Sequence, residues 1–460
     1  MDALVQHIQL EYASLHIPGH QQGRVGWEAF LSFLDRGLML DLTELPGLDD
    51  FHNAKGCIAR SQQLAAVAYG SDACLYSVNG STACVMAALK AVACPGDAVL
   101  LAGPFHQSAW RGLVWSGARA CLGRTGFASD RQLTLPPTAD EVAAWLDAGD
   151  AVQAVFLTSP IYQGLAADVQ AIARVVHARG LPLIVDEAHG AHFGLVPEFP
   201  PHSVAAGADV VIHSVHKTLP GLTQTAWVHV QGPRVDRERL REALLFLHST
   251  SPSYLLLASL DAAQAWREAE GPDSARRTLA RLAAFDLLPA EGGDGFRIDP
   301  LRQWLPTGDR AASRRLVQEL AARGLFPEYA DGQGVLSVFG LGVGERTLAR
   351  YQEAVARWRT DFQPQPDASE SGLWQALARA HAVLDVAPAE ADSAGCEWVP
   401  IAAAVGRLAQ RMVTPYPPGV PLILPGQRIG PEHRDLLAAV WGSGYDVQGV
   451  TDDGEIAVIC

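Results

Sequence analysis

Asp186 closes the apolar run Leu183-Ile184-Val185, and Lys217 lies in a polar turn after a second apolar run, Val210-Val211-Ile212, with histidines at 189, 192, 213 and 216 in the same stretch. A carboxylate facing a pyridine nitrogen keeps that ring protonated, so the ring accepts electrons from a carbanion at a substrate's Cα. A lysine amine forms a Schiff base with an aldehyde until an amino acid displaces it. Together these groups are equipment for holding pyridoxal 5'-phosphate. Taken singly, each has an ordinary structural use, as a helix cap or a solvated charge. The phosphate needs its own cradle, and residues 78 to 89, VNGSTACVMAAL, offer one: Asn79 and Gly80 make a turn, Ser81 and Thr82 supply hydroxyls, and the helix that follows presents free N-terminal amides to a dianion. Ser214 and His216, just ahead of Lys217, are placed to complete it. His106 follows an apolar run that ends at Ala102. Its flat ring suits stacking on a pyridine face, and equally a structural hydrogen bond.

These groups converge only if the elements that carry them end at one edge. Val99 to Ala102, Val152 to Leu157, Leu183 to Asp186 and Val210 to His213 read as buried strands, and Ala83 to Ala93, Ala139 to Asp147 and Asp168 to Arg179 as helices between them. Strand and helix in alternation give an α/β domain with a mostly parallel sheet covered on both faces, whose ligands sit outside the carboxyl ends of the strands. The final third differs: Arg297 to Leu305, a helix from Asp309 to Arg323, Gly334 to Gly340 and a helix from Gly344 to Trp358 make a smaller α+β unit. The polar stretch Asp361 to Gly372 reads as a linker. Beyond it come a helix near Leu373 to Leu384, another from Ile401 to Met412, and strands around Pro421 to Leu424 and Ile456 to Cys460. The expected division is 1–60 as a segment serving a dimer and its active site, 61–275 as the cofactor domain, 276–360 as the small domain, 361–372 as linker and 373–460 as a C-terminal domain.

The 460 residues exceed one ordinary domain, and 48% hydrophobic content supports a substantial core. A net charge of -15 with no basic patch argues against nucleic acid as a partner. The seven cysteines form no CxxC pair and are odd in number, and most sit in apolar sequence surroundings. That pattern predicts reduced core thiols in the cytoplasm and no metal site. No basic n-region with an apolar h-region opens the chain, and no run long enough to cross a membrane occurs.

Seven segments in order resemble the ornithine/lysine/arginine decarboxylase family of fold-type-I pyridoxal-phosphate enzymes, in particular its shorter members without an N-terminal wing domain. They are HIPGHQQGRVG at 16–26, DLTELPGLDDFHNAKG at 41–56, YGSDACLYSVNGST at 69–82, SPIYQG at 159–164, VDEAHGAHFG at 185–194, HSVHKTLPGLTQTA at 213–226 and YPPGVPLILPGQ at 416–427. The resemblance implies a fold-type-I large domain with smaller α+β C-terminal domains. It implies Lys217 as the Schiff-base lysine, Asp186 as the pyridinium partner, His106 as the stacking residue, and Ser81, Thr82, Ser214 and His216 around the phosphate. It also implies a homodimer with active sites at the subunit interface. The chain departs from the family where PGE becomes Pro425-Gly426-Gln427, and where an upstream alanine-glutamate pair becomes Gln410-Arg411.

Decarboxylation at Cα requires the α-carboxylate to stand perpendicular to the conjugated ring, after which Lys217 or a nearby histidine, such as His189, returns a proton. The leading expectation is decarboxylation of arginine or lysine, with ornithine as a further option. An aminotransferase or lyase of the same fold and a non-catalytic homologue are the alternatives. The cationic end of a basic substrate needs a carboxylate, for which Glu44, Asp49 and Asp50 from a facing subunit are candidates. Arg411 in that pocket would repel such a substrate.

Overall fold

The computed structural model describes residues 13–15, 28, 49–123, 126–128, 133–149, 151–289, 292–293, 295–361, 384–416, 421–442 and 446–460. Glu44, the block at 16–26, residues 362–372 of the expected linker and the helix expected near 373–384 all lie outside them, apart from Leu384 at the edge.

Strands Ala73–Ser77 (β1), Ala98–Ala102 (β2), Arg119–Leu122 (β3), Ala154–Thr158 (β4), Leu183–Asp186 (β5), Val210–Ser214 (β6) and Ala226–Val230 (β7) form one sheet in the order β1-β7-β6-β5-β4-β2-β3. Every pairing from β6 through β3 is parallel, and β7 runs antiparallel to both its neighbours. Successive residues point to opposite faces. Leu100, Val155, Val185 and Val211 accordingly pack into one core, and Leu101, Phe156, Ile184 and Ile212 into the other. A strand covered on both faces has no polar alternate positions, which is why these segments are unbroken apolar runs. The four strands expected from such runs are present. β1 and β3 are not continuous runs because their side chains are only partly buried. β7 carries a histidine, His229, whose Nδ1 lies 3.0 Å from Ser71 Oγ.

Helices Cys57–Tyr69 (α1), Gly80–Val92 (α2), Gln107–Ser116 (α3), Ala139–Ala148 (α4), Val169–His177 (α5) and the single turn Val215–Thr218 (α6) lie around the sheet, followed by Arg237–Phe246 (α7), Tyr254–Ala269 (α8) and Gly271–Ala284 (α9). α4 opens on a reciprocal capping box between Thr138 and Glu141. Arg302–Pro306 (β8), Tyr329–Ala330 (β9) and Gly334–Val338 (β10) make a small sheet in the order β8-β10-β9, with Arg310–Ala321 (α10) and Glu345–Asp361 (α11) beside it.

Four expectations need correction. Arg297 to Leu305 is not one strand: Phe296–Ile298 pairs with Leu165–Ala167 of the large domain, and the chain turns at Asp299 before β8 begins. Ile401 to Met412 is not a helix beyond the 3-10 turn Ile401–Ala403. Its backbone amides are claimed from a distance instead, Ala409 donating to Gln427 O at 2.9 Å and Gln410 to Ala457 O at 2.9 Å. Pro421 to Leu424 makes only an isolated bridge, Val413 to Ile423, whereas Glu455–Ile459 does pair with Cys396–Pro400. Of the cysteines, only Cys74 and Cys84 are buried, while 57, 94, 396 and 460 are exposed, so most are not core thiols; none is in a disulfide. Apolar neighbours in sequence do not bury a residue at a helix start or chain end. Among the described residues, no helix is long and apolar enough to cross a membrane.

Candidate active site

β5 ends at Asp186 and pairs in parallel with β6, Ile212 lying opposite Asp186. β6 then passes directly into α6, which carries Lys217. Adjacent parallel strands thus deliver both groups to the carboxyl edge of the sheet. Asp186 is buried, and its Oδ1 accepts the Ala188 amide at 3.1 Å. Burial raises its pKa, and the charge of Lys217 opposes that rise. The Lys217 amine lies 2.9 Å from His189 Nε2. Desolvation lowers its pKa to about 8; Asp186 works against this and Arg302 adds to it.

His189 is itself buried, and its Nδ1 receives Nη2 of Arg302 at 2.8 Å. Burial, then the charges of Lys217 and Arg302, hold it well below the usual histidine range, so the ring is neutral. The edge of Tyr162 meets that ring with centroids 4.9 Å apart. Tyr162 in turn donates its hydroxyl to Glu328 at 2.6 Å, and the Glu328 charge reaches Lys217. His106 stands at the N-cap of α3, its Nδ1 accepting the Ser108 amide at 3.2 Å. His106 is exposed. Desolvation in the cleft, then Lys217 and Arg111, pulls its pKa to about 4, leaving an uncharged ring.

The phosphate cradle has a particular feature. Asn79 at the N-cap of α2 makes no capping hydrogen bond and instead donates its amide to Leu247 O at 2.9 Å. The Gly80 amide donates to Gln224 O at 2.8 Å, and no Asn79 side chain caps the amides of Ser81 and Thr82 that follow, which suits an anion. Ser214 Oγ donates to Ser81 Oγ at 2.6 Å, tying α6 to α2. Thr82 is half-buried on the same turn, and His216 Nδ1 lies 3.1 Å from Thr225 O. Hydroxyls and uncapped amides beside a lysine and a buried carboxylate fit pyridoxal phosphate. Among the described residues, no group of three or more histidine, cysteine or acidic side chains could hold a metal.

Asp186, Lys217, His189, His106 and His216 are therefore near neighbours, with Ser81, Thr82 and Ser214 at the adjoining helix start. The proposed pocket residues have other occupations. Asp49 accepts the amides of Lys55, Gly56, Ile58 and Ala59 at the start of α1, and Asp50 caps the turn Phe51–Asn53. Arg411 is exposed, its guanidinium carbon 5.4 Å from the Trp398 ring centre. Gln427 is buried within the C-terminal domain, accepting the Leu424 amide at 3.0 Å and meeting His433 Nε2 at 2.9 Å. His192 and His213 stay behind the site, paired with Asp299 at 3.1 Å and Glu187 at 2.7 Å.

Sequence reasoning missed Arg302 and Glu328, which come from the small unit and carry no local signature. One signal was legible: Gly164, in the SPIYQG segment, has φ +92°, and a Cβ there would fall 2.5 Å from Arg302 Cγ. The glycine makes room for the arginine.

The family described as Orn/Lys/Arg decarboxylase, major domain, matches residues 1–286, and its C-terminal domain matches 373–440. The uncharacterized protein YaaO of Bacillus subtilis (strain 168) is 33% identical over 97% of this chain and 95% of its own length. The arginine decarboxylase of the same organism is 29% identical over 98% of this chain and 94% of its own. The structure of lysine decarboxylase A from Pseudomonas aeruginosa superposes with a TM-score of 0.79 at 21% identity, covering 100% of this chain and 80% of that one. With its fold-type-I sheet, the chain belongs to the Orn/Lys/Arg decarboxylase family of pyridoxal-phosphate-dependent amino-acid decarboxylases.

Proposed function

We propose that this enzyme removes the α-carboxylate of arginine or lysine, giving the corresponding amine and carbon dioxide, with Lys217 as the cofactor lysine. The observation that carries this reading is how the charges beside Lys217 are committed. Glu328 brings a carboxylate toward the site from the small unit and can meet a cationic substrate. Arg302, the one buried arginine among the electrostatic neighbours of Lys217, is engaged by His189 at 2.8 Å, by the Tyr162 carbonyl at 3.4 Å and by Asp299 at 3.6 Å. An aminotransferase clamps the α-carboxylate in a free guanidinium fork. Its Nη2 is committed to His189 and its Nη1 to the Tyr162 carbonyl, while Nε, with no hydrogen-bond partner, only pairs with the charge of Asp299; a guanidinium whose two terminal nitrogens are already committed is a poor clamp, which favours decarboxylation. Relatives named arginine decarboxylase and lysine decarboxylase favour those two substrates over ornithine. The reading includes a homodimer.

Ser81, Thr82, Ser214 and His216 would hold the cofactor's phosphate, Asp186 its ring nitrogen, His106 a ring face and Lys217 its aldehyde carbon. Bound there, pyridoxal phosphate supplies an electron sink for the charge left at Cα when carbon dioxide departs. Asp186, kept from water, holds its negative charge where solvent does not screen it. Lys217 Nζ and His189 Nε2, 2.9 Å apart, are the groups able to return a proton to Cα. Incubation with a mixture of all amino acids, followed by mass spectrometry, is expected to show only the amine of arginine or lysine, with stoichiometric carbon dioxide. Borohydride reduction and peptide mapping should place the cofactor on Lys217. A 2-oxo acid without carbon dioxide would make the enzyme an aminotransferase, and a label on another lysine would move the site.

A further inference from the structure

We propose that Arg302 is a positioning residue for Lys217: by donating to Nδ1 of His189 it confines that ring's proton to Nε2, and Nε2–H holds the Lys217 amine in its neutral, nucleophilic form. Polarity along the chain of contacts carries the argument. A guanidinium has only donors, so the 2.8 Å contact from Arg302 Nη2 requires a lone pair on Nδ1. A neutral imidazole carries one N–H, which must then be at Nε2. That atom lies 2.9 Å from Lys217 Nζ. An ammonium has no lone pair to accept with, whereas a neutral amine does. The order Arg302 to His189 to Lys217 is therefore consistent in only one direction, and its end is an amine with its proton removed.

The structure builds this contact with care. Arg302 is 1% exposed, the Asp299 carboxylate lies 3.6 Å from its Nε as an ion pair without a hydrogen bond, and His192 meets Asp299 at 3.1 Å. Gly164 at φ +92° leaves the space its stem fills. The charged and titratable groups facing Lys217 are Asp186 from β5, His189 from the loop after it, His216 beside it on α6, His106 from α3, and Arg302 and Glu328 from the small unit. Arg302 is the hydrogen-bond partner of His189 Nδ1, the ring nitrogen opposite the one that meets Lys217. The small unit thus sets the protonation of a lysine in the large one. The significance of this rests on Lys217 being the cofactor lysine, but the geometry does not.

The test uses the full-length chain freed of bound cofactor. The pH dependence of Lys217 acylation by a trace amine-reactive ester is read by peptide mass spectrometry, with folding followed by circular dichroism. Arg302→Met is expected to raise the midpoint by one pH unit or more. Arg302→Lys keeps a positive charge beside Asp299 but removes the Nη2–H aimed at Nδ1, so it is expected to raise the midpoint too; it also serves if the methionine variant does not fold. In a His189→Phe background, Arg302→Lys should move the midpoint by less than a third of a unit. A midpoint unchanged in Arg302→Lys, or moved equally with and without His189, would overturn the proposal by leaving only direct charge repulsion. Because no substrate is present, these outcomes are independent of which amino acid the enzyme consumes, and a wrong assignment of the reaction would show only in the product experiment.

Discussion

Asp186 and Lys217 share one sheet edge, yet burial moves their proton affinities in opposite directions, raising the acid and lowering the amine to about 8. Each offsets part of the other's cost, so neither is comfortable alone. A lysine brought down to about 8 is neutral far more often near pH 7 than an ordinary lysine with a pKa near 10.4. That difference is what makes this lysine a nucleophile near neutrality. On the proposed function, Asp186 would contribute at the chemical step, where charge develops on the cofactor ring. Asp186→Asn is expected to lower kcat on the order of 10²- to 10³-fold with KM little changed. Steady-state kinetics on the cofactor-loaded variant checks this, and near wild-type turnover would remove Asp186 from the role. His106 was legible as a ring positioned over the edge because a strand ends at Ala102 just before it. Arg302 was not legible, since nothing within its own segment distinguishes it from a surface arginine.

At the scale of elements, α2 is a helix whose N-terminus carries no side-chain cap. Asn79 turns its side chain to Leu247, and the hydroxyls of Ser81 and Ser214 bridge α2 to α6. Placing a carboxylate there should stabilise the empty protein and repel a phosphate dianion. Ser81→Asp is accordingly expected to stabilise the cofactor-free protein by about 0.3–1 kcal/mol, and to weaken pyridoxal-phosphate binding about tenfold or more. Thermal melts of the cofactor-free form and absorbance titration measure the two halves, and unchanged affinity would mean that the phosphate sits elsewhere. The C-terminal domain gives the opposite expectation. Arg411 lies over Trp398 rather than beside Lys217's neighbours. Arg411→Glu should cost about 0.5–1 kcal/mol of stability through the lost ring contact, and leave kcat/KM for arginine or lysine within about twofold. A tenfold change in kcat/KM would return Arg411 to the substrate pocket.

Over the whole molecule, burial of neutral histidines sets the response to acid. His189, His213 and His229 are buried, and desolvation is the main cause holding each well below 6.5, His213 at about 3. The unfolded chain binds protons at these sites near pH 6.5 and the folded chain does not, so stability is lost as pH falls below that value. Glu187, raised to about 7 by burial, works the other way: its contribution is full below about 4.5 and is lost as pH rises through 7. The lowered histidines, joined by His106 and His202 at about 4, outnumber the raised acids Glu187 and Asp186 between pH 6.5 and 4.5. The melting temperature of the cofactor-free protein is expected to fall across that range, each net proton taken up on unfolding costing about 1.4 kcal/mol per pH unit; a flat profile would show that these rings are not held neutral. What the sequence determined by itself was the part written in local pattern: apolar runs buried on both faces, the helix start after Asn79, and the acid and lysine at the ends of neighbouring strands. What only the tertiary structure decided was whatever required a partner from far along the chain. The segment from Ala404 to Val413 gives its amides to Gln427 and Ala457 instead of to a helix, Asp49 is used up by the start of α1, and Arg302 crosses from the small unit to His189. Local propensity is weak beside such long-range hydrogen bonds, and a single sequence carries no record of which distant residues meet.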